Sequence, residues 1–162
     1  MRTISILMLS TVFIGLHFSL IACPQRSCGA DPPVRSPGMS LRLELFVNDL
    51  EKSVAFYTNV LGFERLGGED DYVPVRSGSV VIGLGPAAGL SQRHYFNPEL
   101  QTARRGLGTE IVLEVDDIQA FYDQVKQADG KAIKSPLRRQ PWGLTDFRIT
   151  DPDGYYLRIT SR

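Results

Sequence analysis

The sequence predicts an α+β domain made of two copies of one unit, on three observations. The segments LRLELFVNDLEKSVAFY (41–57) and TEIVLEVDDIQAFY (109–122) repeat at an offset of 68 positions, which aligns Leu45 with Leu113, Val47 with Val115, Asp49 with Asp117, Leu50 with Ile118 and Gly62 with Gly130. Within each copy the apolar period changes from two to that of a helix, so each reads as a strand followed by a helix. After each helix come short β-rich runs separated by Gly, Ser, Asp and Pro turns.

In chain order, residues 1–38 stand apart from this duplicated body. Arg2 precedes an apolar run from Ile4 to Ile21 that ends in Leu20-Ile21-Ala22-Cys23, the layout of a secretory signal over 1–23. The last four residues also resemble the lipobox of bacterial lipoproteins, which would make Cys23 a lipid-bearing terminus and a membrane anchor. Residues 24–38, rich in Pro and Gly without periodicity, read as a flexible tether. Two other readings stand beside this one: an uncut membrane span, which Ser10, Thr11, His17 and Ser19 weaken, and translation starting at Met39, which would leave a cytoplasmic protein. Both cysteines, Cys23 and Cys28, fall in this segment, so the body at 39–162 has no thiol for a disulfide, a metal or a nucleophile.

The body divides into modules at 39–86 and 108–162, with a connector at 87–107. Leu41, Leu43, Leu45 and Val47 share one face of the first strand, and Arg42, Glu44 and Phe46 the other. Asp49 is placed to cap a helix carrying Leu50, Val54, Tyr57 and Leu61, with Gly62 as its stop. Tyr72–Arg76 reads as a strand that Pro74 confines to an edge or a bulge, and Ser77-Gly78 turns it back into a strand over Ser79–Leu84. The connector gathers His94, Tyr95, Phe96, Arg104 and Arg105, and a loop of this length is expected to be a lid, a binding loop or an interface. Module two repeats the strand with Ile111, Leu113 and Val115, and the helix with Asp117, Ile118, Phe121, Tyr122, Val125 and the Gly130 stop. Strands over Lys131–Lys134, Asp146–Thr150 and Tyr155–Thr160 follow, the last two joined by the turn Asp151-Pro152-Asp153-Gly154.

At 162 residues and 43% apolar, the chain can bury one sizeable core. Its formal charge is zero, and the body alone carries 15 basic and 17 acidic residues. No basic stripe interleaves with aromatic residues, which argues against a nucleic-acid partner.

The stretches LFVNDLEKSVAFYTNVLGF, the strand and helix at 110–125, QPWG at 140–143 and DPDGYYLRI at 151–159 together resemble the vicinal oxygen chelate superfamily, which includes glyoxalase I, extradiol dioxygenases and the bleomycin resistance proteins. The bleomycin-resistance branch is the most similar. The resemblance implies two paired βαβββ modules whose curved sheets enclose a cleft, with the helices outside. Arg42, Glu44, Phe46, Glu110, Val112, Glu114, Tyr156 and Arg158 would then face the cleft, and repeated charges on such a face suggest a ligand site. A wet cleft lined by salt bridges is the alternative.

Matched strand to strand, the positions that hold the metal in metal-dependent members of the superfamily are Arg42, Gly83, Glu110 and Arg158 here. Arginine accepts no hydrogen bond and carries a permanent charge, and glycine has no side chain, so Glu110 is the only retained candidate ligand. A divalent ion generally needs three or more. A displaced site built from Glu44, Glu110, Glu114 and His94 is conceivable, but pairing of these carboxylates with Arg42 and Arg158 accounts for them as well. Glu110 is also the only candidate general base. Trp142, the single tryptophan, is either a stacking wall for a planar ligand or a plug at the end of the sheet.

The expected function is capture of an aromatic or anionic organic ligand by a metal-free, cofactor-free homodimeric protein through Arg42, Glu44, Phe46, Glu110, Glu114, Trp142, Tyr156 and Arg158. The alternatives are a glyoxalase-type lyase, isomerase or dioxygenase, and an interaction protein with an empty cleft. Pairing of the modules is expected to bring Arg42, Glu110 and Arg158 together.

Overall fold

The computed structural model describes residues 41–68, 71–97 and 103–162. The expectations for 1–38, including the signal, the tether and lipidation of Cys23, lie outside these residues. No helix among the described residues is long and apolar enough to cross a membrane.

Each module is a βαβββ unit. Module one runs β1 (Leu43–Val47), α1 (Leu50–Ala55), a π-helical turn (Phe56–Val60), β2 (Glu64–Arg65), β3 (Val73–Ser77) and β4 (Val80–Pro86). Module two runs β5 (Ile111–Val115), α2 (Ile118–Asp129), β6 (Ile133–Arg139), β7 (Thr145–Thr150) and β8 (Tyr156–Ser161). Two four-stranded mixed sheets result, in the orders β1-β4-β3-β2 and β5-β8-β7-β6. In each, the first strand lies parallel to the last and the remaining pairs are antiparallel.

The period switch occurs where the capping residues stand. Asp49 accepts a hydrogen bond from the Lys52 amide at 3.0 Å and Asp117 one from Ala120 at 2.9 Å, each satisfying an amide that has no partner within its helix. The two helices end differently from one another. The first passes into the π-turn, whose wider bonds include Leu61 N–H to Phe56 O at 3.2 Å, and Gly62 then takes a φ of 72°. Gly130 stops α2 as expected, standing as its C-cap, but with a φ of −61°, and it leads into a 3-10 turn over Gly130–Ala132.

That turn occupies the start of the strand expected at Lys131–Lys134, so β6 begins at Ile133 and runs on to Arg139. Pro74 sits where β3 has little use for a second donor. The strand β3 has β4 on one side, and on the other only the two-residue β2 and a bond from the Leu66 amide to the Pro74 carbonyl.

One hydrophobic cluster runs through both modules, with Leu45, Val47, Val54, Tyr57, Leu84, Leu113, Val125, Phe147 and Leu157 all buried. At roughly 1.5–3 kcal/mol for each large side chain removed from water, this face of the strands dominates stability and fixes register, because a one-residue slip would expose it.

The turn at 151–154 and its neighbours lock module two to module one. Asp153 accepts hydrogen bonds from the Asn48 amide at 2.7 Å and the Ser53 hydroxyl at 3.0 Å. The Tyr57 hydroxyl donates to Asp151 at 3.3 Å, and the Tyr155 hydroxyl donates to the Phe46 carbonyl at 3.0 Å. Arg105, from the connector, reaches Asn48 Oδ1 at 2.5 Å, and Gln124 of α2 donates to the Val60 carbonyl at 3.0 Å.

Candidate functional site

With the apolar face of each strand committed to the core, the alternate residues form a polar face on each sheet. On module one, Arg42 just ahead of β1 and Glu44 and Phe46 within it share this face, and β4 lies beside them with Glu44 opposite Gly83 and Phe46 opposite Gly85. A Cβ at position 83 would overlap Glu44 Oε2 and the Tyr72 hydroxyl, so glycine there is what lets these two side chains meet over the strand. Tyr72 donates to Glu44 Oε1 at 3.0 Å, and Arg42 Nε lies 2.7 Å from the same oxygen. Arg42 Nη2 donates to the Tyr72 hydroxyl, and the guanidinium carbon stands 5.5 Å from the centre of the tyrosine ring.

Gly83 is therefore covered by the ion pair and the phenol, while a Cβ at Gly85 would meet only Phe46 and Tyr72 at ordinary contact distance. Beside it, Phe46 is met edge-on by His94 at 5.3 Å and Phe96 at 5.8 Å between ring centres, which places the connector over the end of β1. A pocket of about 390 Å³ opens there, lined by Glu44, Phe46, Phe96, Arg104, Leu107 and Tyr155.

On module two, Arg148 of β7 and Arg158 of β8 are directly opposite one another. Between them stands Glu110, with Oε2 3.4 Å from Arg158 Nε and Oε1 3.9 Å from Arg148 Nε. Arg148 Nη1 also donates to the fully buried Asp146, whose Oδ1 takes a second hydrogen bond from Gln140 Nε2 at 2.6 Å.

Of the expected trio, Glu110 and Arg158 meet and Arg42 does not join them. Arg42 is held by Glu44, two residues further along the chain, and by Tyr72; the second cation at Glu110 is Arg148. Sequence reasoning missed Arg148 and Tyr72. Their signal was alternation, since Arg148 shares a face with Asp146 two positions away and Tyr72 precedes a strand of known phase. Glu114 is exposed on the face of Glu110 and forms no ion pair with the described residues. Tyr156 lies on that face beside a groove with Arg104, Glu110 and Gly154. Trp142 is 56% exposed in the turn between β6 and β7, so it does not plug the sheet.

The four positions that the superfamily uses for a divalent metal do not fit one. Two are arginines, and Gly83 is overlain by Glu44 and Tyr72. The one carboxylate, Glu110, is engaged by two guanidiniums. The displaced set is not assembled either: His94 packs on Phe46, Glu44 is paired with Arg42, and no group of three His, Cys, Asp or Glu side chains suited to a metal occurs among the described residues.

The groups displaced furthest from their ordinary acidity lie at the module junction. Burial pushes the Asp151 carboxyl up to about 6, with the nearby Asp153 charge adding to the rise and bonds from the Tyr155 and Asp153 amides and the Tyr57 hydroxyl opposing it. Burial, and then the charge of Asp151, hold the Tyr57 phenol well above its usual range.

Comparison with known proteins accords with this architecture. The family described as Glyoxalase/Bleomycin resistance protein/Dioxygenase superfamily matches residues 40–159. A lactoylglutathione lyase of Neisseria meningitidis serogroup A is 30% identical over 128 residues, covering 75% of this chain and 89% of the relative. A bleomycin resistance protein of Geobacillus stearothermophilus is 31% identical over 111 residues, covering 66% and 84% respectively. Among solved structures, a glyoxalase/bleomycin resistance protein/dioxygenase from Nocardioides shares the fold with a TM-score of 0.63 at 23% identity, covering 80% of this chain and 86% of that one. The duplicated βαβββ units and the family match together establish that the chain belongs to the Glyoxalase/Bleomycin resistance protein/Dioxygenase superfamily.

Proposed function

We propose that this chain binds a small organic ligand without a metal, on the polar faces of its two sheets. The observation that carries the reading is the replacement of the metal-holding side chains by two ion-pair networks, Arg42–Glu44–Tyr72 over Gly83 and Glu110–Arg148–Arg158. Module one offers a planar group what it requires: a strand surface without a side chain at Gly85, rings at Phe46, Tyr72 and Phe96, and a cation at Arg42.

The two polar faces make no hydrogen bond or ion pair with each other among the described residues, while the modules share one hydrophobic cluster. That favours a homodimer in which a second copy completes the cleft, so that each site takes one face from each chain. A metal-dependent lyase is the second reading, favoured by the 30% identity to a lactoylglutathione lyase. The donor set at 42, 83, 110 and 158 weighs against it.

The test is a thermal-shift screen of planar organic compounds against the parent, Tyr72→Ala and Gly83→Ala. A compound at 100 times its Kd adds about 2.7 kcal/mol to the parent's stability. The reading requires this gain to shrink in both variants. Compounds that stabilise all three proteins equally, or none that stabilise the parent, would reject it.

A further inference from the structure

The geometry points to an oxyanion site on module two, in which the paired Arg148 and Arg158 bind a carboxylate or phosphate group of the ligand and Glu110 is the internal anion that occupies the site until the ligand arrives. This deepens the reading of the polar faces as ligand-binding surfaces and rests on it.

Arg148 and Arg158 are direct cross-strand partners, and like charges so placed repel each other. Their side chains are only 13% and 24% exposed, so both charges are also largely withdrawn from water. Replacing a whole ion cluster of this kind, Asp146 and Glu110 included, by apolar side chains is often neutral or stabilising, so two arginines here are a sign of use rather than of packing.

How they are held says what they are for. Asp146 has no exposure and fixes Arg148 from within the sheet, while Gln140 fixes Asp146 at 2.6 Å. Gln140 and Asp146 therefore act as positioning residues. Glu110 approaches only the Nε edge of each guanidinium, at 3.4 and 3.9 Å, which are ion-pair distances longer than a good charge-assisted hydrogen bond. Neither approach makes the two-point fork that a carboxylate or phosphate prefers, and Arg158 Nε, although buried, has no hydrogen-bond partner among the described residues. Glu110 is also the most exposed of the four charged groups and stands just ahead of β5, so it can turn outward without breaking a strand. A loosely held carboxylate between Arg148, which is fixed from within the sheet, and Arg158, whose buried Nε lacks a hydrogen bond, is what a competing oxyanion would displace.

The experiment titrates the full chain with two probes, inorganic phosphate and benzoate, following backbone amides by NMR. In the parent, both probes should shift Val112, Arg148 and Arg158 most, and the tighter probe identifies whether phosphate or carboxylate is the preferred group. Glu110→Gln should tighten binding about tenfold, because the internal competitor loses its charge, and Arg158→Gln should weaken it tenfold or more. Arg158→Lys, which keeps the charge and loses the fork, should fall between the parent and Arg158→Gln. The proposal is overturned if neither probe perturbs these amides in the parent, or if the shifts map to other residues. It is equally overturned if Glu110→Gln binds more weakly than the parent. The parent titration decides the matter even where a variant does not fold. Loss of anion binding with a retained response to planar compounds would reject this site alone, whereas loss of both would reject the wider reading.

Discussion

Gly83 is the residue on which the module-one site turns, because a side chain there would occupy the space in which Glu44 and Tyr72 meet. The atoms in the way are the ends of flexible side chains, so Gly83→Ala should cost little stability, about 1 kcal/mol or less by chemical denaturation. It should nevertheless break the Tyr72–Glu44 bond and abolish binding of planar ligands. A destabilisation of several kcal/mol would mean that the backbone, and not the side chains, needs the glycine. Asp151 yields a prediction in pH. Its carboxyl is raised in the folded state to about 6 from an ordinary 3.8, so the native protein holds the proton more tightly than the unfolded chain. The contribution to stability is thus complete below about 3.8 and lost as pH rises through about 6, and it amounts to roughly 3 kcal/mol at most. Compared with Asp151→Asn, the parent should gain relative stability as pH falls from 7 to 4. A stability difference between the two proteins that does not change over this window would show that burial leaves Asp151 unshifted.

The turn between β7 and β8 does for the modules what the helix caps do for the helices, since Asp153 spends both carboxylate oxygens on module one. Hydrogen bonds to a charged acceptor are stronger than neutral ones, and Asp153→Ala should cost about 2 kcal/mol in equilibrium unfolding, with Ser53→Ala costing less. Equal stability of Asp153→Ala and the parent would mean that the shared hydrophobic cluster alone holds the modules together. Glu110→Ala should cost about 1 kcal/mol, because a carboxylate 38% exposed has lost little hydration. At this scale the sequence was most legible. Alternation in β1 and β5 marked their buried faces, and Asp49 and Asp117 marked both helix starts, because each signal is local and each satisfies a local backbone need. Gly130 marked the end of α2 as well, but not the 3-10 turn that follows, because a glycine after a helix is also free to keep ordinary helical angles.

For the whole molecule, the duplication and the terminal DPDG strand carried the fold, while the partners of the charges could not be read from the sequence. Alternation places Arg42 and Glu110 at equivalent positions of two sheets, but it does not say how the sheets face one another. Arg42 found Glu44 two residues along the chain, and Glu110 found Arg148, whose role depends on the β7–β8 register. The same limitation hid Tyr72, which matters only because β4 carries glycine at 83. At the positions where the resemblance implies metal ligands, this chain thus carries members of two ion-pair networks. Metal content measured by mass spectrometry on the purified full chain, before and after incubation with zinc, nickel, manganese or iron(II), tests that claim most directly. The account predicts no stoichiometric ion in either case and a melting midpoint that a chelator does not change. One tightly bound divalent ion per chain, lost together with stability on chelation and absent from Glu110→Ala, would contradict it.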